Sequence, residues 1–236
     1  MSLDISSFVD RSFDAAFDEL RLDSLPWVGL HFQQARCRTI VLGESVYDYS
    51  RKGAPSRLSE IEEKDSLRRR HAAWGVLGTK KRPYLNNFER AVFLTRNPSR
   101  AARQALWNQV VFHNLVGRVL NSRKQRPTAS DYCSGWQQFL SIAELAAARR
   151  CVVYGLERAK IDALLEVCGR EQARVTRFAA VGDHRPVKVQ LALRRGQLEL
   201  FFIRHPSAFF DWAGWGQALR AAEMLPIHDT ATGGGA

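Results

Sequence analysis

Several features that define common protein classes are missing from this sequence. The four cysteines, Cys37, Cys133, Cys151 and Cys168, include no pair at the C-x-x-C spacing that structural zinc sites and iron–sulfur clusters usually use. No apolar run approaches the ~20 residues that a spanning helix needs. The first twenty residues lack a basic segment followed by an apolar run, so we predict no signal peptide. We therefore expect reduced thiols, no metal, no cofactor, no membrane partner and a cytoplasmic protein, nucleoid-associated if bacterial.

Short signatures of several large enzyme classes are also missing. The chain has no Gly-x-Ser-x-Gly elbow, no P-loop and no His-Glu-x-x-His pair. No internal repeat occurs, and no linker is long enough to divide the chain. We predict a single domain over residues 1–225, which begins with an acidic amphipathic helix over 1–24, and a disordered tail over 226–236. The acidic helix is expected to pack away from any phosphate-binding surface.

Acidic residues are outnumbered by basic ones. The 24 Asp and Glu stand against 35 Lys and Arg, which leaves a formal net charge of +11. This imbalance favours a polyanionic partner, because lysine and arginine neutralise phosphates and release counterions. Residues 68–103 hold ten of these cations and one acid, with aromatics between them, so this segment is the predicted DNA-binding surface. The candidate contacts are Arg68, Arg69, Lys80, Lys81 and Arg82. A solvated helical face fits the same composition, and the spacing does not choose between Trp74 and Phe88 as the aromatic that stacks on a base.

Hydrophobic patterning predicts an α/β fold. Short apolar runs rich in β-branched residues alternate with segments of helical period. This alternation indicates a three-layer α/β/α arrangement with a mostly parallel central sheet. The predicted core strands cover 38–43, 109–114, 151–155 and 198–203, and two further strands, 174–180 and 187–193, are predicted to pair. The predicted helices include 58–74 and 157–168.

Polar residues follow three of the predicted core strands at the point where each strand ends. Glu44 comes directly after Gly43, Asn114 ends the second strand, and His205 follows the last one. Open α/β sheets bind ligands outside the carboxyl ends of their strands. An acid, an amide and an imidazole are therefore expected to form one polar site. Taken singly, Glu44 fits a turn cap or an arginine partner, and Asn114 and His205 fit structural roles.

Three segments, in order over roughly residues 36–212, resemble the uracil-DNA glycosylase superfamily. They are Gly43-Glu44-Ser45-Val46-Tyr47, Phe112-His113-Asn114-Leu115 and His205-Pro206-Ser207. The first segment is similar to the first motif of the family-four type, and the second to the single-strand-selective members. The first segment departs from the family, since Ser45 and Val46 stand where other members carry an acid or amide and a proline. The paired cysteines of the cluster-bearing members are also missing.

The resemblance implies a role for each residue of the site. Glu44 would orient or deprotonate the attacking water, with Asp48 as the substitute, and His205 would face a carbonyl oxygen of the base. Asn114 would bond the Watson–Crick edge with both amide atoms, and Tyr47 would form a wall of the pocket. Gly43 and Ser45 complete the base-binding group.

The resemblance also implies an activity and a partner. The protein would flip uracil or a deaminated purine out of single- or double-stranded DNA and hydrolyse its N-glycosidic bond, as a monomer. Ser207 would hold a phosphate of the DNA backbone. Phe209 or Phe210 would wedge into the gap left by the base, or both would be core residues under the last helix.

Two other functions fit the same residues. One is a module that keeps the fold and binds nucleic acid without chemistry, which the altered positions Ser45 and Val46 favour. The other is an α/β hydrolase or transferase that acts on a small anionic substrate such as a nucleotide. The first predicts salt-dependent binding without an abasic product, and the second predicts activity on free nucleosides or nucleotides.

Overall fold

The protein is α/β, as predicted, with a seven-stranded sheet between helices. The computed structural model describes residues 4–48, 58–122, 124–207 and 209–227. In these ranges the helices are α1 Asp14–Glu19, α2 Leu58–Glu62, α3 Ser66–His71, α4 Pro83–Phe93, α5 Arg100–Asn108, α6 Ala129–Leu145, α7 Arg158–Cys168 and α8 Trp212–Ala221, with a π-helical turn Ala72–Val76 after α3 and a 3-10 turn Arg170–Gln172 after α7. No helix of the described ranges is both long enough and apolar enough to cross a membrane.

The sheet is mixed rather than mostly parallel. Its strands are β1 Trp27–Val28, β2 Thr39–Gly43, β4 Val110–Asn114, β6 Arg150–Tyr154, β7 Ala173–Arg177, β8 Val187–Leu193 and β9 Gly196–Ile203, in the order β1-β4-β2-β6-β9-β8-β7. The four central strands pair in parallel, whereas β1, β8 and β7 pair antiparallel. The antiparallel side follows from the short turn between β8 and β9, since parallel neighbours need a long crossover. Two short strands, β3 Val46–Tyr47 and β5 Val119–Leu120, form a separate parallel pair.

Helices cover both faces of the sheet, which is compatible with three layers. Alternation along β2 sends Ile40 and Leu42 to the apolar cluster that includes α6 and α7. Val41 points the other way, into the cluster that includes α3, α4, α5 and α8. The central strands therefore need apolar side chains at nearly every position, and all five residues of β2 are buried.

Two predicted helices are shorter than their patterns indicated. Only Asp14–Glu19 of the N-terminal segment is helical, because Ile5 and Val9 belong to one apolar cluster and Phe17 to the other. A straight helix cannot serve both faces of a sheet. The segment predicted as one helix over 58–74 is split into α2, α3 and the π-helical turn. Of the tail predicted to be disordered, residues 228–236 lie outside the described residues, as do 49–57 of the loop after β3.

Local sequence explains three other helix ends. Thr128 caps α6 in a reciprocal capping box with Asp131, and the Ser99 side chain caps α5 by accepting from the Ala102 amide. Residue Gly169 follows α7 with a positive φ of 81°. These ends determine where the central helices begin and stop.

Candidate functional site

The four parallel strands bring their carboxyl ends to one edge of the sheet. Gly43 at the end of β2 lies opposite Asn114 at the end of β4, and Tyr154 of β6 lies opposite Ile203 of β9. The backbone of Glu44 is held to the next strand, since its carbonyl accepts from the Val116 amide at 2.8 Å. Glu44 and His205 thus emerge at the same edge, with β6 between their two strands.

The Glu44 carboxylate is buried and ion-paired. It is only 5% exposed, and its Oε1 lies 2.9 Å from the Nζ of Lys160, whose side chain has no exposed surface. The Tyr132 hydroxyl donates a hydrogen bond to the same oxygen at 3.2 Å. Burial, followed by the nearby charge of Glu44, raises the pKa of Tyr132, so this hydroxyl keeps its proton. An ion pair and a hydrogen bond therefore hold Oε1 in place.

Lys160 has three oxygen partners. Besides its ion pair with Glu44, its ammonium donates to the Tyr154 carbonyl at 2.7 Å and to Oε2 of Glu157 at 2.9 Å. Burial raises the pKa of Glu157, but the charge of Lys160 and the hydrogen bond from it reverse this, and the net pKa is lowered. A buried ammonium with three acceptors is satisfied as a cation and has no lone pair for nucleophilic attack.

A glycine makes room for this cluster. Gly155 follows β6 with a φ of +99°, and its amide donates to the Ile203 carbonyl at 2.8 Å. A methyl group built on its Cα would overlap both the Lys160 ammonium and the Glu157 carboxylate. The position therefore favours glycine for its backbone conformation and for the space that the ion pair fills.

The second oxygen of Glu44 is much less constrained. The Arg126 guanidinium lies 3.9 Å from Oε2, and the Arg126 side chain is 73% exposed. The two oxygens thus differ, since Oε1 is fixed by Lys160 and Tyr132 whereas Oε2 faces a long, solvated side chain at the limit of ion-pair distance. Oε2 is the atom of this carboxylate that can accept a hydrogen bond from water.

His205 lies within the electrostatic reach of this cluster. Burial lowers the pKa of His205, the carboxylates of Glu44 and Glu157 act against this, and Lys160 and Arg126 act with it. The imidazole is therefore neutral at neutral pH and carries one N–H donor. Its ring centroid lies 5.8 Å from that of Tyr154 in an edge-to-face arrangement.

The loop that carries His205 is anchored by α4. The Asn87 amide donates to the carbonyls of Pro206 at 3.2 Å and of Ser207 at 2.9 Å. The Ser207 amide in turn donates to the His205 carbonyl at 2.8 Å, and the Ser207 side chain is exposed. The hydrogen bonds from Asn87 thus fix the conformation of the loop on the side of α4, and Ser207 faces the solvent.

Asn114 is placed by its contact with Gly43. Its Oδ1 lies where a side chain on Gly43 would begin, and the Phe112 ring comes within 3.4 Å of the same point. Phe112 is itself braced by His71, which stacks on it at 4.6 Å. Hence the glycine of the first segment leaves the space that the Asn114 amide occupies. No hydrogen bond joins the side chains of Asn114 and Glu44 in the described residues.

Four buried polar atoms at this edge have no hydrogen-bond partner among the described residues. They are Oγ of Ser45, Nδ1 of His113, the hydroxyl of Tyr154 and Nδ1 of His205. They do not share one face of the sheet. The Tyr154 side chain packs on Phe88 of α4, whereas His113 pairs with Leu42 and points to the opposite face. Ser45 and His205 each follow the end of a parallel strand by two residues, and an unpaired buried atom in such a place indicates that a ligand or water completes its bonding.

Two further predicted residues lie beside the edge. Tyr47 is in β3, paired with Leu120 of β5, and the Asp48 amide donates to the Leu120 carbonyl at 2.8 Å. Both side chains are half-buried. Their roles as pocket wall and substitute base stay predictions.

Arg68 lies in the interior, which removes it from the predicted DNA contacts. Its guanidinium has no exposed surface, lies 2.6 Å from Asp14 of α1 and donates to the Pro26 carbonyl at 2.8 Å. A phosphate contact would require breaking this buried ion pair. The acidic helix therefore packs directly against the basic segment, and its Asp14 neutralises Arg68.

The other predicted basic contacts lie at the surface. Arg69 is half-buried and ion-paired with Glu63, while Lys80 and Lys81 are exposed in the turn before α4. The Arg82 guanidinium lies over the Trp74 ring at 3.9 Å, so a cation covers that face. The other aromatic considered for base stacking, Phe88, is fully buried in the core.

The two phenylalanines after His205 have different environments. Phe209 is 90% exposed and has a φ of +53°, which is rare for a bulky residue. Phe210 is buried and stacks on Trp215 of α8 at 5.9 Å. Phe210 is thus a core residue under the last helix. Phe209 lies on the surface beside the candidate site, so it is the one of the two that is placed to act as a wedge.

Several members of the site were not identified in the sequence. They come from helices and loops, whereas the predicted site was built from strand ends: Lys160, Glu157, Tyr132, Arg126 and Asn87. The spacing Glu157-x-x-Lys160 directly after a strand that ends in Gly155 was a usable signal, since residues three apart in the first turn of a helix face each other. No comparable local signal marked Tyr132 or Asn87.

The described ranges contain no group of three or more His, Cys, Asp or Glu side chains that could hold a metal ion. Near Glu44 the charged partners are an ammonium and a guanidinium, which compete with a cation for the carboxylate. Neither the protein-family models nor the curated proteins gave a match to the chain.

Proposed function

We propose that the protein is a DNA glycosylase of the uracil-DNA glycosylase type, which hydrolyses the N-glycosidic bond of a base flipped out of DNA. The observation that carries the proposal is the buried Glu44 carboxylate within electrostatic reach of His205 at the carboxyl edge of the sheet, where Oγ of Ser45 and Nδ1 of His205 are also buried without a partner among the described residues. A flipped base presents several donors and acceptors at once and would satisfy such atoms. The net charge of +11 supports a polyanionic substrate.

Glu44 positions the attacking water through its Oε2. Lys160 and Tyr132 hold Oε1, so the carboxylate cannot rotate freely when the water binds. Fixed orientation of this kind lowers the barrier without reorganisation during the reaction. Glu44→Gln keeps the shape and removes the charge that draws a proton from water.

The Glu44 carboxylate also acts on the sugar. Breaking the glycosidic bond builds positive charge on the sugar and negative charge on the departing base. With Lys160 and Arg126 beside Glu44 and Glu157, the cluster is neutral overall, so the contribution comes from the nearness of the Glu44 carboxylate and not from a net charge. A carboxylate held close to the sugar favours its oxocarbenium-like form.

His205 and Asn114 act on the base. The neutral imidazole donates its N–H to a carbonyl oxygen of the base as negative charge grows there. The Asn114 amide, held beside Gly43, offers a donor and an acceptor to the base edge. Exposed Phe209, on the same loop as His205, fills the gap that the flipped base leaves in the stack.

A second candidate is a nucleic-acid-binding module without chemistry. The ion pair between Glu44 and Lys160 favours it, because a carboxylate paired with a buried ammonium has a structural role in joining the helical layer to the sheet. Ser45 and Val46, which differ from the family's first motif, point the same way.

Single-turnover release of base from labelled oligonucleotides tests the proposal. The substrates carry uracil, hypoxanthine or xanthine, each in single- and double-stranded form. We expect an abasic product from the wild type and losses of ~10²-fold or more in Glu44→Gln and His205→Ala. Matched controls are Glu166→Gln and His31→Ala, since both residues are exposed. If the wild type releases none of these bases, the proposed activity is wrong, and salt-dependent binding alone would favour the second candidate.

A further inference from the structure

A groove between α7 and β7 opens next to the candidate site. It has a volume of about 650 Å³ and lies on the face of the sheet that α6 and α7 cover. The described part of the chain places no strand beyond β7, so the sheet extends past α7 and leaves an uncovered strip. The groove begins at Leu156 and Arg158, on either side of the Glu157 that pairs with Lys160.

The floor of the groove is apolar and its rim is basic. The floor residues are Leu156, Ile161, Leu165, Val175 and Val187. The rim carries the arginines Arg158, Arg170 and Arg177. Val175 and Arg177 lie two positions apart in β7, and residues at this spacing point to the same face of a sheet. Both side chains therefore face the groove. Val175 is among the few exposed large apolar side chains of the described residues.

One acid lies among the three arginines. Asp162 accepts from the Nε of Arg158 at 3.3 Å and from Arg170 at 3.4 Å, while the Arg158 side chain remains 94% exposed. Ion pairs this exposed contribute little stability and exchange readily for other partners. Three guanidiniums and one carboxylate leave two net positive charges along the groove.

We propose that this groove binds the single-stranded nucleotides that flank the flipped base. The inference rests on the proposed function for the position of the base, and it adds the strand form of the substrate. The guanidiniums bind successive phosphates, and the apolar floor contacts sugars and unstacked bases. In a duplex the bases are paired in the interior, so only the sugar-phosphate backbone could contact the apolar floor. The apolar floor therefore favours a single strand, whose bases are free to contact it.

The direction of α7 gives the groove its length. The helix starts at the carboxyl edge of the sheet and its 11 residues rise about 16 Å. The backbones of Arg158 and Arg170 lie near its two ends, while their guanidiniums meet at the Asp162 carboxylate between them. Nucleotides bound along this path would lead away from the candidate site on the side of β9 and β8, because β7 is the outermost strand there.

Binding of DNA without a damaged base tests the groove separately from catalysis. The probe is a labelled thymidine oligonucleotide of about twenty nucleotides, free or annealed to its complement, measured over a range of salt concentration. The test variant replaces Arg158, Arg170 and Arg177 by Ala. The matched variant replaces Arg149, Arg194 and Arg195 by Ala, which removes the same charge from exposed arginines at the opposite edge of the sheet.

We expect the groove variant to bind the single strand roughly tenfold or more weakly, with a salt slope reduced by about 0.7 for each phosphate that is no longer neutralised. The matched variant and the duplex should change much less. The substitution Asp162→Ala should tighten single-strand binding a few-fold, and this gain cannot come from misfolding. Equal losses in both triple variants, an equal loss for the duplex, or no oligonucleotide binding by the wild type would each overturn the inference. If the wild type releases no base but these binding differences occur, the groove stands and the proposed chemistry fails.

Discussion

Lys160 and Glu44 form a buried ion pair at the end of the central strand, with Nζ and Oε1 separated by 2.9 Å. Lys160 comes from the first turn of α7 and Glu44 from the residue after β2, so the contact joins the helical layer to the edge of the sheet. Tyr132 of α6 adds a hydrogen bond to the same oxygen. One carboxylate thus ties two helices to the candidate site.

Removing one ion of this pair should destabilise the fold. In Lys160→Met the Glu44 carboxylate stays buried without its cation, and we expect the free energy of unfolding to fall by about 3–5 kcal/mol. Urea denaturation at neutral pH measures the change. The double variant Lys160→Met with Glu44→Gln leaves no buried charge unpaired, so it should recover a large part of the loss.

Glu157→Gln serves as the comparison for that cycle, because Glu157 pairs with the same ammonium but its side chain is 43% exposed. Its loss should be well below that of Lys160→Met. Additive effects of the Lys160 and Glu44 substitutions would mean that the two side chains do not depend on each other.

Gly155→Ala should damage the site more than a glycine replacement elsewhere. The new methyl group would overlap the Lys160 ammonium and the Glu157 carboxylate, and Ala would also have to adopt a φ of +99°. We expect a loss of stability of more than about 2 kcal/mol, together with reduced base release. Gly182→Ala is the matched control, since Gly182 has a φ of +57° and open space around it. Equal losses in the two variants would show that only backbone conformation matters at Gly155.

The neighbouring phenylalanines should separate function from folding. Phe209→Ala removes no packing from the core, so stability should change by less than about 0.5 kcal/mol, whereas base release from duplex DNA should fall. Phe210→Ala should lower the free energy of unfolding by about 3–5 kcal/mol because the ring packs on Trp215. Chemical denaturation and single-turnover kinetics of both variants measure this. Full duplex activity in Phe209→Ala would remove the wedge role.

His71→Phe should protect the fold against acid. His71 lies in contact with the rings of Trp27, Trp107 and Phe112, and neither ring nitrogen has a hydrogen-bond partner among the described residues. Burial lowers the pKa of His71 from 6.5 to about 3. The unfolded chain therefore binds a proton first as the pH falls below 6.5, and the folded protein loses stability. Phe cannot titrate. The free energy of unfolding of His71→Phe relative to the wild type should therefore be about 2 kcal/mol higher at pH 5 than at pH 8. An identical pH dependence in both proteins would contradict the lowered pKa.

Glu89 should make the free energy of unfolding depend on pH in the direction opposite to His71, and Glu89→Gln should remove this dependence. Burial raises the pKa of Glu89 from 4.5 to about 7, against the hydrogen bond that it accepts from the Trp107 indole. Between these values the folded state holds a proton that the unfolded chain has released, so stability falls as the pH rises, by up to about 3 kcal/mol. Gln does not titrate, and its free energy of unfolding should lack this decline. Denaturation between pH 4.5 and 7.5 makes the comparison, with Glu166→Gln as an exposed control.

Local sequence predicted the elements whose signals are local. The apolar runs before Gly43 and Asn114 were found because a buried strand depends on residues close in the chain. The arrangement around Lys160 was not found, because its partners Glu44 and Tyr154 come from other strands. Arg68 was assigned to the surface for the same reason, since its neutralising Asp14 lies 54 residues away.

The sequence by itself determined the α/β class, the central strands and the polar residues at their ends, because hydrophobic period and glycine positions act over a few residues. Tertiary structure alone decided which oxygen of Glu44 is held, which phenylalanine is exposed and which arginines reach solvent. Those properties depend on distances between segments far apart in the chain and on the loss of water around them. A charge that is solvated in an isolated helix becomes an ion pair when another layer packs over it.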